Sequence, residues 1–358
     1  MQNKQQLNLG VLIARILSPE RIFILSFAGV VLAGTLFLYL PFSSTKGLSF
    51  VDALFTAASA VCVTGLAVID VGQDLTFAGQ VATIVLFQVG GLGIITFSAF
   101  LFGMMGRGIS FKGREIVQST LLHTPRRDFF VILRSVLIAT FIIEFVGILI
   151  LFLRFSQDFP IGTAFFHAVY NAISAFNNCG YSLFSDNLIR YQGDIIVNLT
   201  VMGLIVTGGI GFVVIHEVFY RLKGSEKRLS LHTKLVLIAT GVLILGGAIL
   251  FFFFERNHVI KDMPFLTQVL VSFFQSVTPR TAGFNTVDIG QLTNATVLMT
   301  IVLMFIGASP GSTGGGIKTT SATLLTLFIW SKWKGSEEVN IWNRTIPKDL
   351  ITRTISII

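Results

Sequence analysis

The chain has 358 residues, of which 53% are hydrophobic and 12% charged, with a positive mean hydropathy. A soluble domain carries about 25% charged residues, so this composition excludes an ordinary soluble protein and makes the bilayer its main solvent. The net charge of +8 lies in clusters between apolar runs rather than on one soluble face, which points to membrane topology and away from nucleic acid.

Residues 1–21 read as a cytoplasmic N-terminus. The apolar run at 22–42 follows Arg21, is longer than a signal-peptide h-region and has no small-residue cleavage site after it, so it is retained as the first span. Further long runs near 77–105, 130–153, 193–220, 233–254 and 296–330 bring the predicted spans to six. Between the two members of each pair lies a shorter apolar stretch, at 50–64, 161–178 and 265–278. These fall short of the ~20 residues a crossing needs and read as re-entrant half-spans. The predicted fold is therefore an all-α polytopic membrane protein of repeated span, pore-loop and span units around a central pore. The units are 22–105, 130–222 and 233–334, with a cytoplasmic loop at 106–129 and a linker with the start of a fourth unit at 335–358.

The repeat becomes specific when aligned on one glycine per half-span: Val63-Thr64-Gly65, Asn178-Cys179-Gly180 and Thr281-Ala282-Gly283. Ten residues before each glycine stands an aromatic, Phe55, Tyr170 or Phe273. A serine precedes by six in the first two units (Ser59, Ser174) and by seven in the third (Ser276), where Pro279 and Arg280 suggest a one-residue insertion. An aspartate follows each glycine by five or six residues: Asp70, Asp186 and Asp288. The glycines are 115 and 103 residues apart, so a fourth would fall at about residue 390. Residues 347–358 read as the approach to another span, and the chain is expected to be a fragment.

Basic residues fix the predicted orientation. Arg107, Lys112, Arg114, Arg126 and Arg127 lie between spans two and three, and Arg221, Lys223, Lys227, Arg228 and Lys234 between spans four and five. Lys332, Lys334, Arg344 and Lys348 follow span six. The positive-inside rule makes all these cytoplasmic, with the N-terminus inside and the half-spans and the three aspartates outside.

A half-span that ends in glycine suits one kind of chemistry. A cation inside the membrane needs its hydration shell replaced by oxygens, and backbone carbonyls from converging loops supply them. Glycine permits the positive φ that lets successive carbonyls point one way, and the C-terminal end of a short helix favours a cation. The exterior Asp70, Asp186 and Asp288 form an acidic mouth that enriches cations. Cys62 and Cys179 lack CxxC or metal-ligand spacing and read as packing or pore-loop residues.

The second span of each unit carries a glycine cluster. Gly90, Gly91 and Gly93, and Gly208, Gly209 and Gly211, read as close helix packing. The sixth span differs, because Gly307-Ala308-Ser309-Pro310-Gly311-Ser312-Thr313-Gly314-Gly315-Gly316-Ile317-Lys318-Thr319 interrupts it with helix breakers, hydroxyls and a lysine. Irregular backbone at membrane depth is tolerated only where protein buries it or it lines water, so this run reads as a broken helix that gates the path. It is not a nucleotide-binding loop, since Ile317 precedes the lysine where glycine is needed. His216-Glu217 fails HExxH because Tyr220 replaces the second histidine, and no set of catalytic side chains argues for an enzyme. The other reading considered is a secondary transporter of another small cation or solute, with the broken span as its binding site.

With Val-Thr-Gly-Leu, Asn-Cys-Gly-Tyr and Thr-Ala-Gly-Phe at the loop ends and Gly-Ser-Thr-Gly-Gly-Gly-Ile-Lys in the sixth span, the chain resembles the Ktr/Trk/HKT superfamily of potassium transporters. The resemblance covers essentially its whole length. Ser276 to Phe284 and the sixth-span run are the most specific parts, and they point to the membrane subunit of the bacterial Ktr type. The resemblance implies four pore loops around one path with a selectivity-filter glycine from each, matched here by Gly65, Gly180 and Gly283, and makes the sixth-span run the gating loop. It implies sodium-stimulated potassium uptake across the bacterial plasma membrane by a homodimer. The dimer would sit on a cytoplasmic RCK/KTN-type nucleotide-binding regulatory ring (KtrA- or KtrC-like), with ATP or ADP on that partner and no cofactor on this chain beyond transported K+.

Overall fold

A computed structural model describes residues 19–93, 129–224, 228–336, 338–342, 344–346 and 351. The sequence-predicted loop at 106–129, apart from Phe129, and the end of the second predicted span lie outside the described residues. So does the predicted start of a fourth unit at 347–358, apart from Ile351.

Three units of similar plan follow one another. In the first, α1 (Pro19–Tyr39) precedes the short α2 (Phe50–Val61) and α3 (Phe77–Gly91). In the second, α4 (Phe129–Phe155) is followed by α5 (Ile161–Phe176), α6 (Ile195–Gly209) and α7 (Phe212–Leu222). In the third, α8 (Leu231–Glu255) is followed by α9 (Phe265–Val277), α10 (Asn294–Phe305) and α11 (Thr319–Trp333). The 27 residues of α4 and 25 of α8 are apolar enough to cross a bilayer. At about 1.5 Å per residue each exceeds the ~30 Å hydrocarbon core. The 12 to 16 residues of α2, α5 and α9 do not, as expected of half-spans.

Local sequence sets the ends. Ser49 caps α2 through Asp52 N (3.1 Å), Asp194 caps α6 through Val197 N (2.9 Å), and Pro160 and Pro264 stand where α5 and α9 begin. Such caps satisfy amides that a helix start leaves unpaired, which matters most where water is scarce. In the first two units the half-span packs between its flanking helices, in the third α9 packs on α8, and α3 meets α5 while α6 meets α9 across units. The core this creates is rich in alanine and aromatics, with Ala53, Ala57, Ala60, Ala164, Ala168 and Phe176 all fully buried. The opposite faces of α4 and α8 expose Phe141, Ile142, Phe145, Val242, Leu245 and Ile249. Water would penalise that pattern, and lipid accepts it.

The fourth predicted span, 193–220, is broken. The chain bends by 106° between α6 and α7, at Gly211 with φ of 92°. The glycines do pack closely, as the sequence suggests, but they also end the helix. Two short strands, β1 (Val339–Ile341) and β2 (Arg344–Ile346), form an antiparallel hairpin in the region read as a linker, with Val339 opposite Ile346. Val339, Ile341 and Ile346 pack on Leu231, Leu235 and Leu324, tying the hairpin to the ends of α8 and α11.

Candidate functional site

The three loop ends meet. A methyl group placed on Gly65 would stand 1.8 Å from the Cys179 carbonyl oxygen, and one on Gly180 would stand 2.4 Å from that of Ala282. One on Gly283 would lie 3.4 Å from Gly180 Cα and 3.8 Å from the Thr64 carbonyl oxygen. Residues 115 and 218 positions apart in sequence thus share one small volume, and the carbonyls of Thr64, Cys179 and Ala282 gather there.

The backbone is built alike in all three. Each glycine has positive φ (72°, 83° and 82°), and so has the residue two before it: Val63 (52°), Asn178 (58°) and Thr281 (70°). In an ordinary strand alternate residues face opposite sides. Left-handed residues at every second position turn intervening carbonyls toward one side, the arrangement a ring of cation ligands requires. Positive φ at a β-branched Val63 or Thr281 stores strain and persists only where surrounding structure enforces it. Enforcement comes from the preceding helix, since Thr64 N donates to Ser59 O (2.8 Å) and Cys179 N to Ser174 O (2.9 Å). In the third unit Ala282 N and Gly283 N both donate to Thr278 O (2.9 and 3.3 Å), so the acceptor there is Thr278 and not the aligned Ser276. Sequence reasoning placed these three residues in the aligned loop ends but did not foresee their left-handed backbone, because valine, asparagine and threonine share no conformational signature. Their only signal is the common offset from glycine.

Cross-links hold the loops together. Tyr181 Oη donates to Leu66 O (3.0 Å) and Leu188 N to Asn285 O (3.1 Å), while Asn187 Nδ2 braces its own loop by donating to Gly180 O (3.2 Å). Cys179 is buried and Cys62 exposed, and both thiols are free. The three aspartates each have a local partner. Asp70 Oδ1 accepts from Gly72 N (2.9 Å), Asp186 pairs with Arg190 (2.8 Å), and Asp288 Oδ1 accepts from Gly290 N (2.9 Å).

The sixth span breaks where the sequence expects. After α10 a bridge pairs Ile306 with Ile317, Ala308 N donates to Gly315 O (3.0 Å), and Gly311 and Gly316 take φ of 65° and 74°. The residues between form a compact loop whose Ser309 hydroxyl meets Thr319 Oγ1 at 2.8 Å. Its tip touches the loop ends: Asn178 Nδ2 donates to Thr313 Oγ1 (3.0 Å), which donates to Phe176 O (3.1 Å). A methyl on Gly314 would lie 2.4 Å from Thr281 Oγ1. Lys318 Nζ donates to Gly314 O at 2.9 Å, so a loop carbonyl takes the place of water on the ammonium.

The break in the fourth span seats this loop. Ser309 N donates to Gly209 O (2.9 Å), Thr313 N to Gly208 O (3.2 Å), and Phe212 N to Gly311 O (2.9 Å). Backbone groups freed at two broken helices therefore satisfy each other inside the membrane, where unpaired groups are costly. Among the described residues no group of three or more His, Cys, Asp and Glu side chains is placed to hold a metal ion.

Fold and site together define a polytopic membrane transporter of the pore-loop type, with an irregular loop beneath convergent carbonyls. The family model for TrkH, described as cation transport protein, matches residues 20–358, and the chain belongs to that family. It is 40% identical over 341 residues to the Ktr system potassium uptake protein B of Vibrio alginolyticus, covering 94% of this chain and 75% of that one. It is 37% identical to the protein of the same name from Bacillus subtilis, covering 95% and 76%. The crystal structure of the potassium transporter TrkH from Vibrio parahaemolyticus shares the fold, with a TM-score of 0.70, 20% identity and coverage of 99% of this chain and 70% of that one.

Proposed function

We propose that the chain is the ion-conducting membrane subunit of a bacterial potassium uptake system and not an enzyme. One observation carries the reading: three loops distant in sequence bring glycines with the same left-handed backbone pattern into contact. Val63, Thr64, Gly65, Asn178, Cys179, Gly180, Thr281, Ala282 and Gly283 act as the selectivity filter, their carbonyls replacing water around the ion. The loop from Gly307 to Lys318 is the gate, since its Thr313 and Gly314 lie directly against Asn178 and Thr281. Potassium as cargo is supported by the potassium uptake proteins that this chain resembles.

In the plasma membrane the N-terminus faces the cytoplasm and the half-spans enter from outside, as the distribution of lysine and arginine favours. Asp70, Asp186 and Asp288 then lie near the outer mouth, adding negative potential while Asp70 and Asp288 cap their turns and Asp186 pairs with Arg190. The subunit works as a homodimer on a cytoplasmic RCK/KTN-type ring that carries ATP or ADP, and sodium stimulates uptake. The Ktr system names of the relatives support a multi-subunit assembly of this kind.

The test is rubidium uptake and growth at limiting potassium in a bacterium without its own potassium uptake, with a Ktr-type regulatory subunit co-expressed. Rescue by the full-length wild-type protein and failure of its Gly283→Asp variant at equal membrane abundance is the expected result. Equal rescue by both would remove Gly283 from the ion path and overturn the reading.

A further inference from the structure

Among the described residues Glu144 is the one carboxylate buried in the middle of a spanning helix, at 3% exposure. A charge at that depth is rare and marks function unless it is paired, and its hydrogen-bond partners here are amides. Gln88 Nε2 of α3 donates to Glu144 Oε1 at 2.9 Å, and Asn177 Nδ2 approaches the same oxygen at 3.4 Å. Asn177 Nδ2 also donates to Gln88 Oε1 at 2.6 Å, closing a triangle of side chains from α3, α4 and the end of α5. The three residues come from two different units.

Asn177 is the residue at which α5 ends, next to the strained Asn178 and three before Gly180. It is fully buried and fits a socket that Gly91 leaves open, because a methyl there would stand 2.1 Å from Asn177 Oδ1. Among the described residues that Oδ1 has no hydrogen-bond partner, so the Asn177 side chain is held by its Nδ2 contacts. The third unit repeats the arrangement with other chemistry. Arg280, also three before its glycine and buried, reaches Thr240 on α8 at 3.5 Å, just as Asn177 reaches Glu144 on α4. In both units this position extends backward from the loop to the first span of its own unit.

We infer that Glu144 is a positioning residue of the ion path. Through Asn177 it fixes the Asn178-Cys179-Gly180 strand against the other two, and so sets the spacing of carbonyls that discriminates between cations. The inference rests on the reading of the loop ends as a filter. It goes further by naming what holds the second strand in place.

The test measures rubidium uptake kinetics and inhibition by sodium in the same deficient bacterium, for the full chain with its regulatory subunit. Glu144→Leu keeps bulk and removes the hydrogen bonds. It is expected to raise the rubidium KM and weaken sodium exclusion by about tenfold each, the effect of losing one buried hydrogen bond, at unchanged membrane abundance. Glu144→Gln keeps an acceptor and is expected to recover discrimination. Gly180→Ser is the reference for a damaged filter. If it loses discrimination while Glu144→Leu keeps wild-type KM and sodium exclusion, the inference fails and the filter reading stands. If neither variant changes discrimination, the filter reading itself fails. Should Glu144→Leu not reach the membrane, Asn177→Asp places two carboxylates together, and adding Glu144→Gln leaves one. Recovered discrimination in the double variant supports the inference, and no recovery overturns it.

Discussion

Gly65→Ala perturbs the loop convergence at its tightest point. The added methyl would stand 1.8 Å from the Cys179 carbonyl oxygen and 2.9 Å from its carbon. A carbon and an oxygen in van der Waals contact sit about 3.3 Å apart or more, so that carbonyl must retreat by roughly 1.5 Å or the whole first loop must. Alanine at φ of 72° adds strain. That strain is worth about 1–3 kcal/mol. The displaced group is one of the proposed ligands of the ion, so the damage falls on the bound cation more than on folding. Taking ~3 kcal/mol in all, the rubidium kcat/KM is expected to fall about a hundredfold. Uptake assays at matched membrane abundance measure this, with Gly203→Ala on α6 as control, because a methyl there meets nothing within 4 Å. A Gly65→Ala chain with wild-type kinetics and sodium exclusion would refute the convergence.

Three further outcomes follow from the same geometry. Thr313→Val keeps the shape of the side chain and removes its hydrogen bonds to Asn178 and Phe176. Losing about 1–2 kcal/mol of closure, it is expected to raise rubidium uptake without the regulatory subunit by roughly 5- to 30-fold. Gly211→Ala puts a side chain at φ of 92° and 2.5 Å from the Pro310 carbonyl oxygen, and is expected to blunt the response to the regulatory subunit. The uptake ratio with and without that subunit measures it. Arg154 links Asp194, the cap of α6, to Asp158 at 2.9 Å while remaining partly exposed. Arg154→Gln is expected to lower the Tm of the detergent-solubilised protein by about 2 °C, the modest effect of a half-screened pair.

Much of this was legible in the sequence. The glycine register at Gly65, Gly180 and Gly283 and the short apolar runs before them located the half-spans, because both reflect local chain geometry. The breakers from Gly307 to Lys318 likewise announced the broken sixth span. The 106° bend at Gly211 was hidden, since its glycines also serve close packing: a methyl on Gly208 would stand 1.9 Å from Phe176 O. Which role dominates depends on the sixth-span loop that docks there, about 100 residues on, and no local pattern encodes such a partner. The Gln88, Glu144 and Asn177 triangle escaped for the same reason, its members lying up to 89 residues apart. The three aspartates were read from their register, and their local partners, turn amides for Asp70 and Asp288 and Arg190 for Asp186, emerged only with the structure in view.

The most direct measurement is a crystal structure of the protein with thallium in place of potassium. The expected result is an anomalous peak coordinated by the carbonyls of Thr64, Cys179 and Ala282, above the loop that holds Thr313. Thallium bound elsewhere along the bundle, with those carbonyls unoccupied in a preparation that still transports rubidium, would contradict the proposed path.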